Sequence, residues 1–362
     1  MRTTRRNLLV GLSALSLATV GCTGRSAQQH AGYPPGQYPR GQYPPPGQAP
    51  PGQYPPGQPP GPGQPPPGPG VPPNQPPPAN LPPVPNDPIN FIDINFLRSR
   101  SQAVLQELIA ALPANHANSV KSVPLIIDDT VGEVNAFAAC SNGNAAMAIS
   151  DGLMEVQSQM ARARATDEIF GTNKFHEYVT MVAKFQKPKQ PIVRPQPSFW
   201  DPQQDQDGRK VARQHQLNDE ALAFVLGHEL AHHYLQHTGC VGSQTPFPTP
   251  IDFGRLLSKA VPGFNQPNEI AADTNGTTNL LNAGKRRQGY HWTEGGAMMT
   301  LNFFLALKQI TPVEAILFGF EISHPHPSFR IPIVQQTANQ WRSTGGASSG
   351  GGFPFPIPGL GG

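Results

Sequence analysis

The stretch that decides the reading of this chain is His228-Glu229-Leu230-Ala231-His232, which follows Asn218-Asp219-Glu220 and a run of small and apolar residues. Residues four apart on an α-helix lie one turn apart on the same face, so His228 and His232 present two imidazoles to one point. Two histidines at that spacing suit a zinc ion. The carboxylate of Glu229, about 100° further round the helix, can take a proton from an attacking water. The surroundings support a helix. Asn218 is a candidate N-cap, Asp219 and Glu220 sit where acidic side chains favour the helix dipole, and Gly239 follows the last turn. Leu222, Val225 and Leu226 supply its apolar face.

A catalytic zinc site needs a third protein ligand. A metzincin would have Gly at position 235 and His at 238; the chain has Leu235 and Thr238, which excludes that class. Glu269, in Asn268-Glu269-Ile270-Ala271-Ala272-Asp273, is the better candidate. It shares a helix face with Asp273, four residues on, and Asp273 can hold a ligand histidine by its distal N–H. Gln266-Pro267-Asn268 is a favourable helix start and Gly284 a favourable end. His233 and His237, also four apart, read as histidines on the rim of the site.

Working outward, Phe96, Leu97, Val104, Leu105, Leu108, Ile109 and Leu112 recur near helical spacing until Pro113. Strand-like runs follow at Val123 to Asp128, Val134 to Ala139 and Ala145 to Ser150, with Asn142-Gly143 as a hairpin turn between the last two. Asp151-Gly152-Leu153 starts another helix. The proline-punctuated stretch from Thr172 to Gln214 reads as a long irregular insertion. From Asn218 to Trp341 the pattern is helical. The fold class is therefore α+β, mainly helical, with one small sheet.

These landmarks, in this order, resemble the HtpX-like family of gluzincin metallopeptidases, which includes the type-1 CAAX prenyl proteases. Val134-Asn135-Ala136-Phe137 is similar to the family's Asn-Ala-Phe strand, and Ile149-Ser150-Asp151-Gly152-Leu153 to its strand-to-helix segment. Glu220 to His233 resembles the active-site helix, and Glu269 to Gly284 the Glu-x-x-x-Asp helix. Ser323-His324-Pro325-His326-Pro327-Ser328-Phe329-Arg330 resembles the late His-Pro segment with Arg six residues after His. The resemblance implies a zincin-like fold and one zinc per chain. It implies a role for His324 at the zinc, as a donor to the tetrahedral intermediate or as a plug on the metal; the plug is the expectation. Arg330 is implied as its companion, in contact with substrate or oxyanion.

The flanks carry a different signal. Of the 45 prolines, 26 fall between Pro34 and Pro88, with Gly-Gln pairs between them and no strict period. Such a segment buries nothing and is expected to be a disordered, extended arm. Met1 to Gly21 has a basic start, a short apolar stretch and small residues, as a signal peptide does. Thr19-Val20-Gly21-Cys22 resembles a bacterial lipobox, and Thr4-Arg5-Arg6-Asn7-Leu8-Leu9 a twin-arginine signal. The domain reading is a signal peptide at 1–21, a lipid-anchored Pro/Gly/Gln-rich arm at 22–88, a metallopeptidase domain at 89–342 and a Gly-rich tail at 343–362. Removing the leader takes away Arg2, Arg5 and Arg6, leaving 23 basic against 23 acidic residues, so charge gives no support for nucleic-acid binding. Cys140 and Cys240 form an even pair that suggests a disulfide in an exported protein.

The expectation is a zinc endopeptidase of the cell envelope acting on protein or peptide substrates. It would be anchored through Cys22 to the outer membrane, facing the periplasm, with a cell-wall or proline-binding partner as a further role for the arm. The rivals are a latent zinc-binding chaperone or binding module, and a structural envelope lipoprotein.

Overall fold

Helix start signals and prolines, taken together, explain the element order. The computed structural model describes residues 81–141, 143–240, 266–311, 318–320 and 324–346. The leader, Cys22, the arm before residue 81 and the tail beyond residue 346 lie outside them. The chain divides into two units, Met1–Gln64 and Pro65–Gly362, and every described residue belongs to the second.

Two short helices flank a longer one: α1 (Pro88–Phe91), α2 (Ile94–Ala111) and α3 (Ala114–Val120). Asp93 caps α2, accepting from the amides of Asn95 and Phe96. The sheet is built from β1 (Leu125–Asp128), β2 (Ala136–Ser141) and β3 (Asn144–Ser150), in the order β1-β3-β2. β1 runs parallel to β3, and β2 pairs antiparallel with β3 so that Ser141 faces Asn144. The two-residue connection places Gly143 at φ 77°, the left-handed conformation a tight hairpin turn demands.

Ser150 then does two jobs. Its hydroxyl accepts from Leu153 N at 3.1 Å, capping α4 (Asp151–Phe170), and from Asn135 N at 2.9 Å, tying the approach of β2 to the same point. Cap and strand end are thereby fixed together, at a typical worth of about 1 kcal/mol for the cap.

The stretch from Thr172 to Gln214 is not an irregular insertion. It holds α5 (Lys174–Phe185), a 3-10 turn at Pro197–Phe199, α6 (Pro202–Gln206) and the beginning of α7 (Gly208–Tyr234). Pro197 and Pro202 open their elements, where a missing N–H costs nothing, so they start structure rather than break it. α7 begins ten residues ahead of Asn218. Asp207 caps it through Arg209 N, and Asn218 is an interior residue, 1 % exposed.

The segment ahead of Ile89, which composition assigns to the arm, packs on α6 and α7. Val84 N donates to Gln206 O at 2.8 Å. Asp87 is buried, and its carboxylate takes Gln214 Nε2 at 2.6 Å and His215 Nε2 at 2.5 Å. Nearby, Asp205 accepts from the buried Lys210 at 2.7 Å and pairs with Arg162.

α7 is the central element. It is buried on all sides from Gln216 to Tyr234, as a helix wrapped by others must be. It packs against α2, α4, α8 (Gln266–Lys285) and α9 (Gly295–Ile310), and α10 (Pro327–Ser343) closes over α8 and α9. Arg100 of α2 forks Asp219 of α7, with Nε to Oδ1 at 2.6 Å and Nη2 to Oδ2 at 2.5 Å. Among the described residues no helix is long and apolar enough to cross a membrane.

Candidate metal centre

The α7–α8 contact is set by two glycines. A Cβ on Gly276 would lie 2.7 Å from His228 N and 2.9 Å from Gly227 C, so only a bare α-carbon permits this approach. Because the backbones come so close, the side chains one and two turns along α8 reach across α7. Glu269 and Asp273 meet His228 and His232 there. Sequence reading missed both glycines. Their signal was present, because Gly227 directly precedes His228 and Gly276 lies three residues past Asp273.

The four donor atoms cluster. His228 Nε2 is 3.1 Å from His232 Nε2. Glu269 Oε2 is 3.4 Å from His228 Nε2, and Oε1 is 3.4 Å from His232 Nε2. Tetrahedral zinc with donors about 2.0–2.1 Å away has donor–donor edges of about 3.3 Å, so the three side chains fit zinc without rearrangement. All three are nearly inaccessible, and both Glu269 oxygens are buried with no hydrogen bond, which is costly unless a cation completes them.

Each ring is oriented from behind. His228 Nδ1 lies 2.9 Å from Asp273 Oδ1. Arg330, 2 % exposed, sets Nη2 2.6 Å from Oδ1 and Nε 2.9 Å from Oδ2 of the same carboxylate, and Nη2 also stands 3.2 Å from His228 Nδ1. The expectation for Arg330 is a substrate or oxyanion contact; in the fold its Nε and Nη2 are engaged by Asp273, behind the His228 ring. His232 Nδ1 lies 3.0 Å from His237 Nδ1. His233 is fully buried, not on the rim. Its Nε2 donates to the Ala146 carbonyl of β3 at 3.0 Å, and its Nδ1 lies 3.2 Å from the Thr238 hydroxyl.

Glu229 is 1 % exposed, and His324 Nε2 reaches its Oε1 at 3.2 Å. His324 Nδ1 meets the Phe320 carbonyl at 3.2 Å, and its ring stacks on Phe320 with centroids 4.3 Å apart. Donor atoms of His228, Glu269 and His324 also lie within 4.8 Å of one another, so His324 stands within reach of the same ion. Pro327 opens α10, and His326 caps it through Ser328 N at 3.3 Å. His324 is therefore held just outside a helix start.

The electrostatics follow from burial and pairing. Burial alone would raise Glu229, but the His324 hydrogen bond and neighbouring histidine charge hold it down to about 2. Asp273 is likewise held at about 2, against burial, by Arg330 and His228. Burial and Arg330 press His228 down, yet the Asp273 and Glu269 carboxylates beside it win and raise it to about 9. His232 is pushed down to about 4, chiefly by burial.

Cys140 of β2 and Cys240 are joined as a disulfide with Cα atoms 5.8 Å apart. Cys240 closes the turn that follows α7. On the far side, a recess of about 120 Å³ between α8 and α10 is lined by Glu269, Ile270, Pro325, Phe329 and Ile333 among others.

The family model of peptidase family M48 matches residues 98–338, about two thirds of the chain. No curated protein and no solved structure matches it. The chain belongs to peptidase family M48, a family of zinc metallopeptidases.

Proposed function

We propose that this M48 peptidase is an endopeptidase of the bacterial cell envelope, with one zinc per chain held by His228, His232 and Glu269. The observation that carries the reading is the convergence of two Nε2 atoms and one carboxylate at 3.1–3.4 Å, with Glu229 beside them. Zinc, when bound, acidifies a water and polarises the scissile carbonyl. Glu229, ionised at neutral pH, accepts the proton of the attacking water and later passes it to the leaving amine. His324 Nε2 donates toward the oxygen that gains charge. Asp273 and Arg330 keep His228 Nε2 turned to the ion. The substrate backbone pairs with β2, an edge strand packed on α7. The recess beside Glu269, with the exposed Phe329 at its lip, takes an apolar substrate side chain.

A second reading has one observation in its favour. Because His324 shares a 4.8 Å cluster with His228 and Glu269, it can sit on the ion and hold the enzyme latent. The envelope location rests on the leader and on Cys22, which lie outside the described residues.

The test is metal analysis with a casein digest on the full chain. His228→Ala, His232→Ala and Glu269→Ala are each expected to lose zinc and turnover. Stoichiometric zinc in all three variants refutes the ligand assignment. For the anchor, Cys22→Ser is expected to move the protein from membranes to the soluble fraction.

A further inference from the structure

Metal-ligand histidines need a partner on the ring nitrogen that faces away from the ion. Asp273 and Arg330 serve His228. His232 points its Nδ1 at His237 Nδ1, 3.0 Å away. With Nε2 committed to the metal, the His232 proton sits on Nδ1 and is donated, so His237 accepts through its Nδ1 lone pair and carries its own proton on Nε2.

His237 does not lie on α7. It is delivered by the turn after it, where Gln236 adopts φ 64°, His237 N returns to His232 O at 2.8 Å and Gly239 adopts φ 81°. That turn is pinned at its end. The Thr238 hydroxyl meets the Cys240 carbonyl at 3.0 Å, and Cys240 is bonded to Cys140 in edge strand β2.

We infer that His237 is a positioning residue for the metal ligand His232, and that the Cys140–Cys240 bridge holds the turn that places it. The bridge thus joins the strand assigned to substrate and the metal helix into one unit, and supports zinc affinity from 100 residues away in sequence. The inference rests on the proposed ligand set.

The experiment measures zinc affinity by chelator competition on the full chain, with thermal melts as a folding control. His237→Ala is expected to weaken zinc binding about 10–100-fold, the usual loss for such a partner. His237→Asn, whose Oδ1 can stand where Nδ1 stood, is expected to restore most of it. The Cys140→Ser/Cys240→Ser pair is expected to weaken binding too, and to add little to His237→Ala, since both act through one hydrogen bond. Unchanged affinity in His237→Ala, or no rescue by His237→Asn, overturns the positioning role. Fully additive losses overturn the link to the bridge. If the double cysteine variant does not fold, the His237 pair still decides. Glu269→Ala separates the two levels: if it keeps wild-type zinc affinity, the ligand assignment fails instead.

Discussion

Arg330 grips Asp273 with two nitrogens, at 2.6 and 2.9 Å, and through that carboxylate fixes the ring of His228. Both partners are buried, so removing one leaves the other uncompensated. Arg330→Ala is expected to destabilise the fold by about 3–5 kcal/mol and to weaken zinc about 10–100-fold. Denaturant melts and chelator competition check this. A residue acting only on an oxyanion would give the opposite pattern, with turnover lost and zinc affinity intact.

Glu229→Gln separates proton transfer from metal binding. Glu229 is expected to bind no metal itself, so the variant should keep one zinc per chain while peptide hydrolysis falls to background. Metal content and a casein digest on the same preparation test both halves. A variant that has lost its zinc would make Glu229 part of the ligand set.

His324→Ala has a sign that discriminates. Loss of a donor to the developing charge is expected to cut turnover about 100-fold or more with zinc retained. A rise in basal proteolysis would select the plug reading. No change at all would leave the Glu229 contact without a catalytic purpose.

Gly276→Ala tests the close helix approach. The added methyl would meet His228 N at 2.7 Å, and backbone cannot step aside as a flexible side chain can. The expected cost is about 1–3 kcal/mol, with weaker zinc binding as Glu269 and Asp273 are displaced. Gly227→Ala, whose Cβ would approach no atom more closely than 3.1 Å, is expected to cost less. Equal stability of Gly276→Ala and wild type would contradict the geometry.

Acid sensitivity is expected at the root of the domain. Burial would raise Asp87 and Asp205, but His215 outweighs it at Asp87, and Arg162 with Lys210 at Asp205, so both fall below the usual carboxylate range. A carboxyl depressed on folding contributes stability that is complete above its unfolded pKa, about 4. That stability is lost as pH falls through the folded value. Melts between pH 7 and pH 3 should show a loss below about pH 4 that is smaller in Asp87→Asn. An identical acid profile in that variant would remove Asp87 from the account.

Local pattern determined much of this protein. Helical spacing alone placed His228 and His232 on one face, and the same rule paired Glu269 with Asp273. Asn142-Gly143 announced the hairpin because only a φ > 0 residue closes so short a turn. These readings succeed because they depend on spacing within one element. What required the tertiary structure depends on which surfaces meet. Prolines 197 and 202 read as breakers but start elements, at the position where a missing N–H costs nothing. Asn218 reads as a cap, yet Asp207 caps the helix eleven residues earlier and Asn218 is buried in its interior. Arg330 reads as a substrate contact and His237 as a rim residue. In the fold Arg330 contacts Asp273 and His228, and His237 contacts His232, because α10 and the turn after α7 fold back onto these rings. A one-dimensional pattern can name the candidate ligands, but the partners on their far side arrive from elsewhere in the chain. Only the packed helices decide which ones they are.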